Sequence, residues 1–230
     1  IEARRANLED QQWPFDPMQF DLIILSHVLE HVFDISGCLE NAQQRLDENG
    51  RIYIEVPDAA RYSNNGFPPF YFFDPEHINH FNLAALEVLA TSHSMEIEKS
   101  VYRDLNVGEN QSYPAVGAFL KNTPVDTQPD NSPTISSEKI LRYMSDSQAL
   151  LASGKNHTRL RKMAESKTPV VIWGGGSYCR RLLANTPLAE TNLLGIIDND
   201  TGKQGKKLAG IEIYPPEQGL AMANVHGATL

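Results

Sequence analysis

Three groups of polar residues have types and spacings that suit chemistry. In FDLIILSHVLEHV, Phe20 to Val32, an apolar run gives way to Ser26, His27, Glu30 and His31. On the first turn of a helix His27 and His31 share a face, with Glu30 beside them. Such a set can carry a proton near neutral pH. The glutamate does not stand where the zinc-protease HExxH motif needs it, so no metal is expected here. Polar capping of a buried strand is the plainer use of the same residues. The second group, FYFFDPEHINHF, places Glu76, His77 and His80 between an aromatic loop and a helix. A histidine oriented by a neighbouring carboxylate is a competent general base, which makes His77, with Glu76 beside it, the leading candidate. The alternative is a polar helix start. In the third group, PVVIWGGGSYCRRLL and LLGIIDND, a glycine turn joins strand to helix and Asp198 ends the next strand. Dinucleotide-binding units are built this way, although Cys179 stands where a third glycine belongs. The helix start after Gly176 also offers free amides to a phosphate or carboxylate.

The first group needs a strand to present it. FDLIILS reads as a central parallel strand covered on both faces. A helix is then expected through DISGCLENAQQRLDENG, stopped by Asn49-Gly50, and a strand in RIYIEVPD. The opening IEARRANLED reads as a short strand entering a loop. NLAALEVLATSHS reads as a helix capped by Asn82. MEIEKSVYRD and AVGAFLKN alternate as a closing antiparallel pair. Past a proline-rich linker, TPVDTQPDNSPTIS, a helical stretch with one glycine break leads into a second strand, helix, strand unit.

The bulk properties narrow the classes. The chain has 230 residues and a formal net charge of −9. An acidic chain offers no general attraction to phosphate backbones or anionic lipid, so neither nucleic acid nor membrane is an expected partner. Cys38 and Cys179 are too few and too far apart for a disulfide scaffold or a zinc site and suit the cytoplasm. No apolar run reaches the roughly 18 residues of a spanning helix.

FDLIILSHVLEHVFDISGCLENAQQRLDENGRIYIEVPD resembles the second half of a class I S-adenosylmethionine-dependent methyltransferase, where an HVLEH strand-to-helix junction precedes a glycine turn and an "lyievP" strand. The resemblance implies S-adenosylmethionine as cofactor, with Ser26, His27 and His31 toward its methionine end and His27 near the transferring methyl. Asn7, Leu8 and Glu9 would lie along the adenine, Asn7 replacing a more usual Asp. The family's glycine-rich loop and ribose-binding acid have no match before residue 20, so a preceding region is expected to supply them, and this piece alone to bind cofactor weakly. The EHINHF segment and IIDNDTGKQGKKLAGIEIYPPEQ resemble the sugar C-methyltransferases and their appended C-terminal domain. There the matching Glu and His perform acid/base chemistry on a nucleotide-linked sugar; Asp74 stands where that family has Tyr. His77, Glu76, His27 and His80 are thereby the candidate catalytic residues. Tyr71, Gly174, Gly176, Ser177, Asp198 and Lys203 are the candidate substrate contacts.

The fold class expected is α/β. Residues 1–122 would form the C-terminal part of a methyltransferase domain, a partial Rossmann-like sheet holding strands three to seven with the first two missing. Residues 123–137 would be a linker, and 138–230 a helical segment plus a second, smaller, truncated Rossmann-like unit. The function expected is a methyltransferase acting on a sugar or nucleotide-linked sugar. The alternatives are an NAD(P)-linked oxidoreductase or epimerase built on the GGGS turn, a non-catalytic nucleotide-sugar binding module, and a permuted sheet completed by the C-terminal unit.

Overall fold

The computed structural model describes residues 5–10, 17–63, 67–109, 111–123 and 137–230. It divides into two units, Ile1–Phe67 with Phe72–Tyr143, and Pro68–Tyr71 with Met144–Leu230. The expected linker, 123–137, lies almost wholly outside the described residues.

In the first unit β1 (Phe20–Ser26) runs parallel to β2 (Leu46–Pro57), which pairs antiparallel with β4 (Gln111–Asn122), itself antiparallel to β3 (Met95–Gly108). The order is β1-β2-β4-β3. α1 (Ile35–Gln43) is the crossover between β1 and β2, and α2 (Leu83–Ser92) precedes β3. Leu39, Leu86, Ile52, Ile54 and Leu120 meet in the core with no exposure at all. Both helix starts are capped as their sequences allow: Asp34 accepts from Gly37 N at 2.9 Å and Asn82 from Ala85 N at 2.8 Å.

Three expectations are corrected. The helix expected through Asn49-Gly50 ends at Gln43, and β2 begins at Leu46, which is buried. The cause is a close backbone approach: Phe20 N donates to Arg45 O at 2.9 Å, and a side chain on Gly50 would meet Phe20 O at 2.8 Å. That glycine serves an irregularity in the β1–β2 register rather than a helix stop. Second, β1 is not central among the described residues. It pairs on one side only, and it alternates, with Ile23 and Leu25 buried while Leu22 and Ile24 are exposed. Third, the opening strand is a turn over its described part, because the Asn7 side chain accepts from Glu9 N at 3.2 Å. Ile1 to Arg4 lie outside the described residues.

The second unit includes the latter part of α3 (Glu138–Ser153) and α4 (Lys155–Glu165), which Gly154 separates. Its sheet runs β5-β6-β8-β7: β5 (Pro169–Trp173), β6 (Asn192–Ile197) and β8 (Ile211–Tyr214) are parallel, and the short β7 (Lys207–Leu208) is antiparallel to β8. α5 (Ser177–Asn185) and α6 (Pro216–His226) follow β5 and β8. Val170, Leu183 and Ile196 fill one side of this sheet, Val171, Ile197 and Ala223 the other. Among the described residues the strands form two four-stranded sheets, and none of them joins the two units' sheets as the permuted arrangement requires.

Candidate active site

The carboxyl ends of β1 and β2 lie side by side, with Ser26 opposite Glu55. His27 N extends the ladder to Glu55 O at 2.8 Å, then turns the chain with a left-handed φ of 53° into the short 3-10 turn Leu29–His31. That turn buries Glu30 to 1% exposure. His27 Nδ1 lies 3.1 Å from Glu30 Oε1, and this hydrogen bond raises the His27 pKa although burial opposes it. On its other side His27 Nε2 stands 3.8 Å from Glu55 Oε1. Burial alone would lift the Glu55 carboxyl, yet Tyr53 OH at 2.7 Å, Arg103 Nη1 at 3.1 Å and Ser26 Oγ at 3.2 Å all donate to it and hold it below the usual range. The Tyr53 hydroxyl is pushed up to about 12, by burial first and then by Glu55.

A second segment closes over this turn. Asn79 N donates to Glu30 O at 3.1 Å, and its side-chain amide donates to Leu29 O at 3.0 Å and Val32 O at 2.7 Å. His31 Nδ1 lies 2.8 Å from Glu76 O. These four contacts bring the His77 ring edge-on to His31, with centroids 4.9 Å apart. Burial lowers the His77 pKa, with the nearby Glu30 charge opposing. Three buried polar atoms in this neighbourhood have no hydrogen-bond partner among the described residues: Glu30 Oε2, His77 Nδ1 and His27 Nε2.

The structure therefore brings Ser26, His27, His31 and His77 together, and treats the other expected residues differently. Glu76 takes part through its backbone carbonyl, while its side chain is exposed; the carboxylates acting on His77 are those of Glu30 first and Asp74 second. His80 turns into an aromatic cluster, 3.1 Å from Tyr62 OH and with its ring 4.4 Å from that of Phe73, and burial lowers its pKa. Sequence reasoning missed Glu55, Asn79, Arg103 and Tyr53. Only Glu55 carried a signal, a carboxylate inside the otherwise apolar strand YIEVP.

Of the three residues expected along an adenine, Glu9 is occupied otherwise. Its carboxylate accepts from Phe33 N at 2.8 Å and Asp34 N at 2.9 Å, at the start of α1. Leu8 O accepts from Asn41 Nδ2 at 3.2 Å, and the Leu8 side chain packs on the core. Asn7 is exposed.

The remaining candidates lie in the second unit. Tyr71 is exposed. Gly174 has a φ of 96°, which favours glycine, and Gly176 is the N-cap residue of α5. Asp198 reaches back to this turn: its Oδ2 accepts from Gly175 N at 2.8 Å and Lys203 Nζ at 3.2 Å, its Oδ1 from Asp200 N at 2.9 Å. The Asp200 and Gly175 amides and Lys203 together keep its pKa low. In a dinucleotide site this carboxylate would face a ribose; here it locks its own loop. Ser177 opens α5, its side chain making no hydrogen bond among the described residues.

Residues 1–99 match the family model described as a methyltransferase domain. No curated protein matches the chain. Similar solved structures include an S-adenosylmethionine-dependent methyltransferase from Methanosarcina mazei at 14% identity, with 51% of this chain and 65% of that chain covered and a TM-score of 0.38. Another is an O-methyltransferase of neocarzinostatin biosynthesis, in complex with S-adenosylhomocysteine and 1,4-dihydroxy-2-naphthoic acid, at 16% identity, coverage of 51% and 32%, and a TM-score of 0.35. A third is described as a pericyclic reaction enzyme, at 14% identity, coverage of 51% and 29%, and a TM-score of 0.38. The chain thus spans less than two thirds of the length of each.

Proposed function

We propose that this chain belongs to an S-adenosylmethionine-dependent methyltransferase acting in the cytoplasm on a sugar or nucleotide-linked sugar, with the sheet β1-β2-β4-β3 as the later strands of a class I methyltransferase domain. The observation that carries the reading is the meeting of the β1 and β2 ends with the 74–80 segment around Glu30, inside the stretch that matches a methyltransferase domain. The residues suit the donor at its methionine end, where Ser26 is exposed and His27 Nε2 is unpartnered. They suit it less along the adenine, where the Glu9 carboxylate is already engaged. When bound, S-adenosylmethionine supplies a methyl group on a good leaving group, so what is asked of the protein is orientation and proton removal.

His27 takes the proton from the acceptor. Glu30 aligns its ring and stabilises the imidazolium, raising its pKa. Glu55, held by Tyr53, Arg103 and Ser26, stands 3.8 Å from Nε2 on the far side of the ring. His31 and His77 frame the acceptor side. The sugar class draws support from the EHINHF segment and from IIDNDTGKQGKKLAGIEIYPPEQ, the patterns that resemble sugar C-methyltransferases. The oxidoreductase and binding-module alternatives lose support because the carboxylate that would hold a ribose is spent on Gly175, Asp200 and Lys203.

The test is transfer of labelled methyl from S-adenosylmethionine by the full-length enzyme to a panel of nucleotide-linked sugars, phenols and amines. Transfer to a sugar is expected. Transfer only to the other acceptors overturns the substrate class, and transfer to none overturns the activity.

A further inference from the structure

Glu30, His31 and His77 each bring one ligand-type atom to a common point, all within 4.8 Å of one another. Two of the three are held from behind. Glu30 Oε1 is tied to His27 Nδ1 at 3.1 Å. His31 gives its Nδ1 hydrogen to Glu76 O at 2.8 Å, which leaves a lone pair on Nε2. Metal-binding histidines are oriented in this way, by a carbonyl or carboxylate on the nitrogen away from the ion. In front, Glu30 Oε2 and His77 Nδ1 are buried and have no hydrogen-bond partner. A carboxylate oxygen buried in a residue 1% exposed is costly to leave unmet.

We propose that Glu30, His31 and His77 form a binding site for a divalent metal ion, with zinc the best match to two imidazoles and one carboxylate. The donor atoms of a tetrahedral zinc ion lie roughly 3.3 Å apart, so closing on an ion from at most 4.8 Å needs only small side-chain shifts. His31 is exposed and gives the ion its way in. Three protein ligands leave a coordination position open to an oxygen ligand, as in catalytic rather than structural zinc sites. The i,i+4 pair His27 and His31 is not the ligand pair; His77, from a distant segment, replaces His27, which stays hydrogen-bonded to Glu30. This inference is independent of the methyl-transfer reading.

The untagged chain, stripped by chelator, is titrated with cobalt(II) and then with zinc, with no methyl donor present. One equivalent of cobalt should bind, giving a visible absorption band that one equivalent of zinc abolishes. His31→Ala, which alters an exposed side chain, and His77→Ala should each weaken uptake about tenfold or more, while His226→Ala on the exposed end of α6 should leave it unchanged. Circular dichroism checks that each variant is folded. No uptake by the folded wild-type chain, or undiminished uptake by both folded variants, overturns the site. Either failure leaves the methyl-transfer reading standing.

Discussion

The Glu30 cluster and the Asp198 turn are both carboxylates near the carboxyl ends of parallel strands, and they are used in opposite ways. Asp198 spends both oxygens inside its own loop, on two backbone amides and Lys203. Glu30 spends one oxygen on His27 and leaves the other buried and unmet, next to a histidine nitrogen in the same state. A saturated carboxylate holds a fold; an unsaturated buried one is a place for a ligand. The glycine turn that resembles a dinucleotide loop in the sequence is therefore the self-contained one, and the HVLEH junction carries the open valences.

The contrast can be broken or sharpened by substitution. The largest effect is expected at Glu30→Gln in the full-length enzyme, where turnover should fall by roughly 10²- to 10⁴-fold, the usual worth of aligned acid/base catalysis, as steady-state methyl transfer would measure. Asp198→Ala should instead act on stability, lowering it by about 2–3 kcal/mol in urea unfolding, since three donors lose a charged acceptor. An unchanged urea midpoint would remove the distinction between the two carboxylates. Asn79→Ala should lose about 1–3 kcal/mol by the same assay, because the side chain ties the segment bearing His77 to Leu29 O and Val32 O.

The two sites should also respond to pH in opposite senses. His27 has a raised pKa, so its pairing with Glu30 stabilises the fold fully below the unfolded value near 6.5 and loses that contribution as pH rises through the folded value. Asp198 has a lowered pKa, so its contribution is present above the unfolded value near 3.8 and is lost as pH falls through the folded one. Urea midpoints of wild type minus His27→Asn should narrow from pH 6 toward pH 8.5. Those of wild type minus Asp198→Ala should narrow only under acid. The smallest effect is expected at Glu9→Gln, about 1 kcal/mol or less, from weaker hold on the amides at the start of α1.

Much of the fold is legible in the sequence because its signals are local. Alternation announces β3 and β4, Asn82 announces α2, and the repeated strand and glycine turn announce the second unit. The helix overrun to Gly50 has the opposite cause. Leu46 continues the helical spacing of Leu39 and Ala42, yet the strand partner that claims it, Phe20, lies 26 residues earlier. The site divides in the same way. His27, Glu30 and His31 are adjacent in sequence and readable as a group. Which carboxylate serves His77 is decided by Asn79 and the Glu76 carbonyl, contacts that join positions about 45–50 residues apart and leave no periodic trace.

The most direct test of the account concerns His27 itself. Because its φ of 53° suits asparagine better than most residues, His27→Asn removes the ring with little backbone strain. In the full-length enzyme, the rate of a single methyl transfer should fall at least a hundredfold while calorimetric affinity for S-adenosylmethionine changes by no more than a few fold. A variant that transfers methyl at the wild-type rate would contradict the assignment of the β1–β2 ends as the place where the chemistry happens.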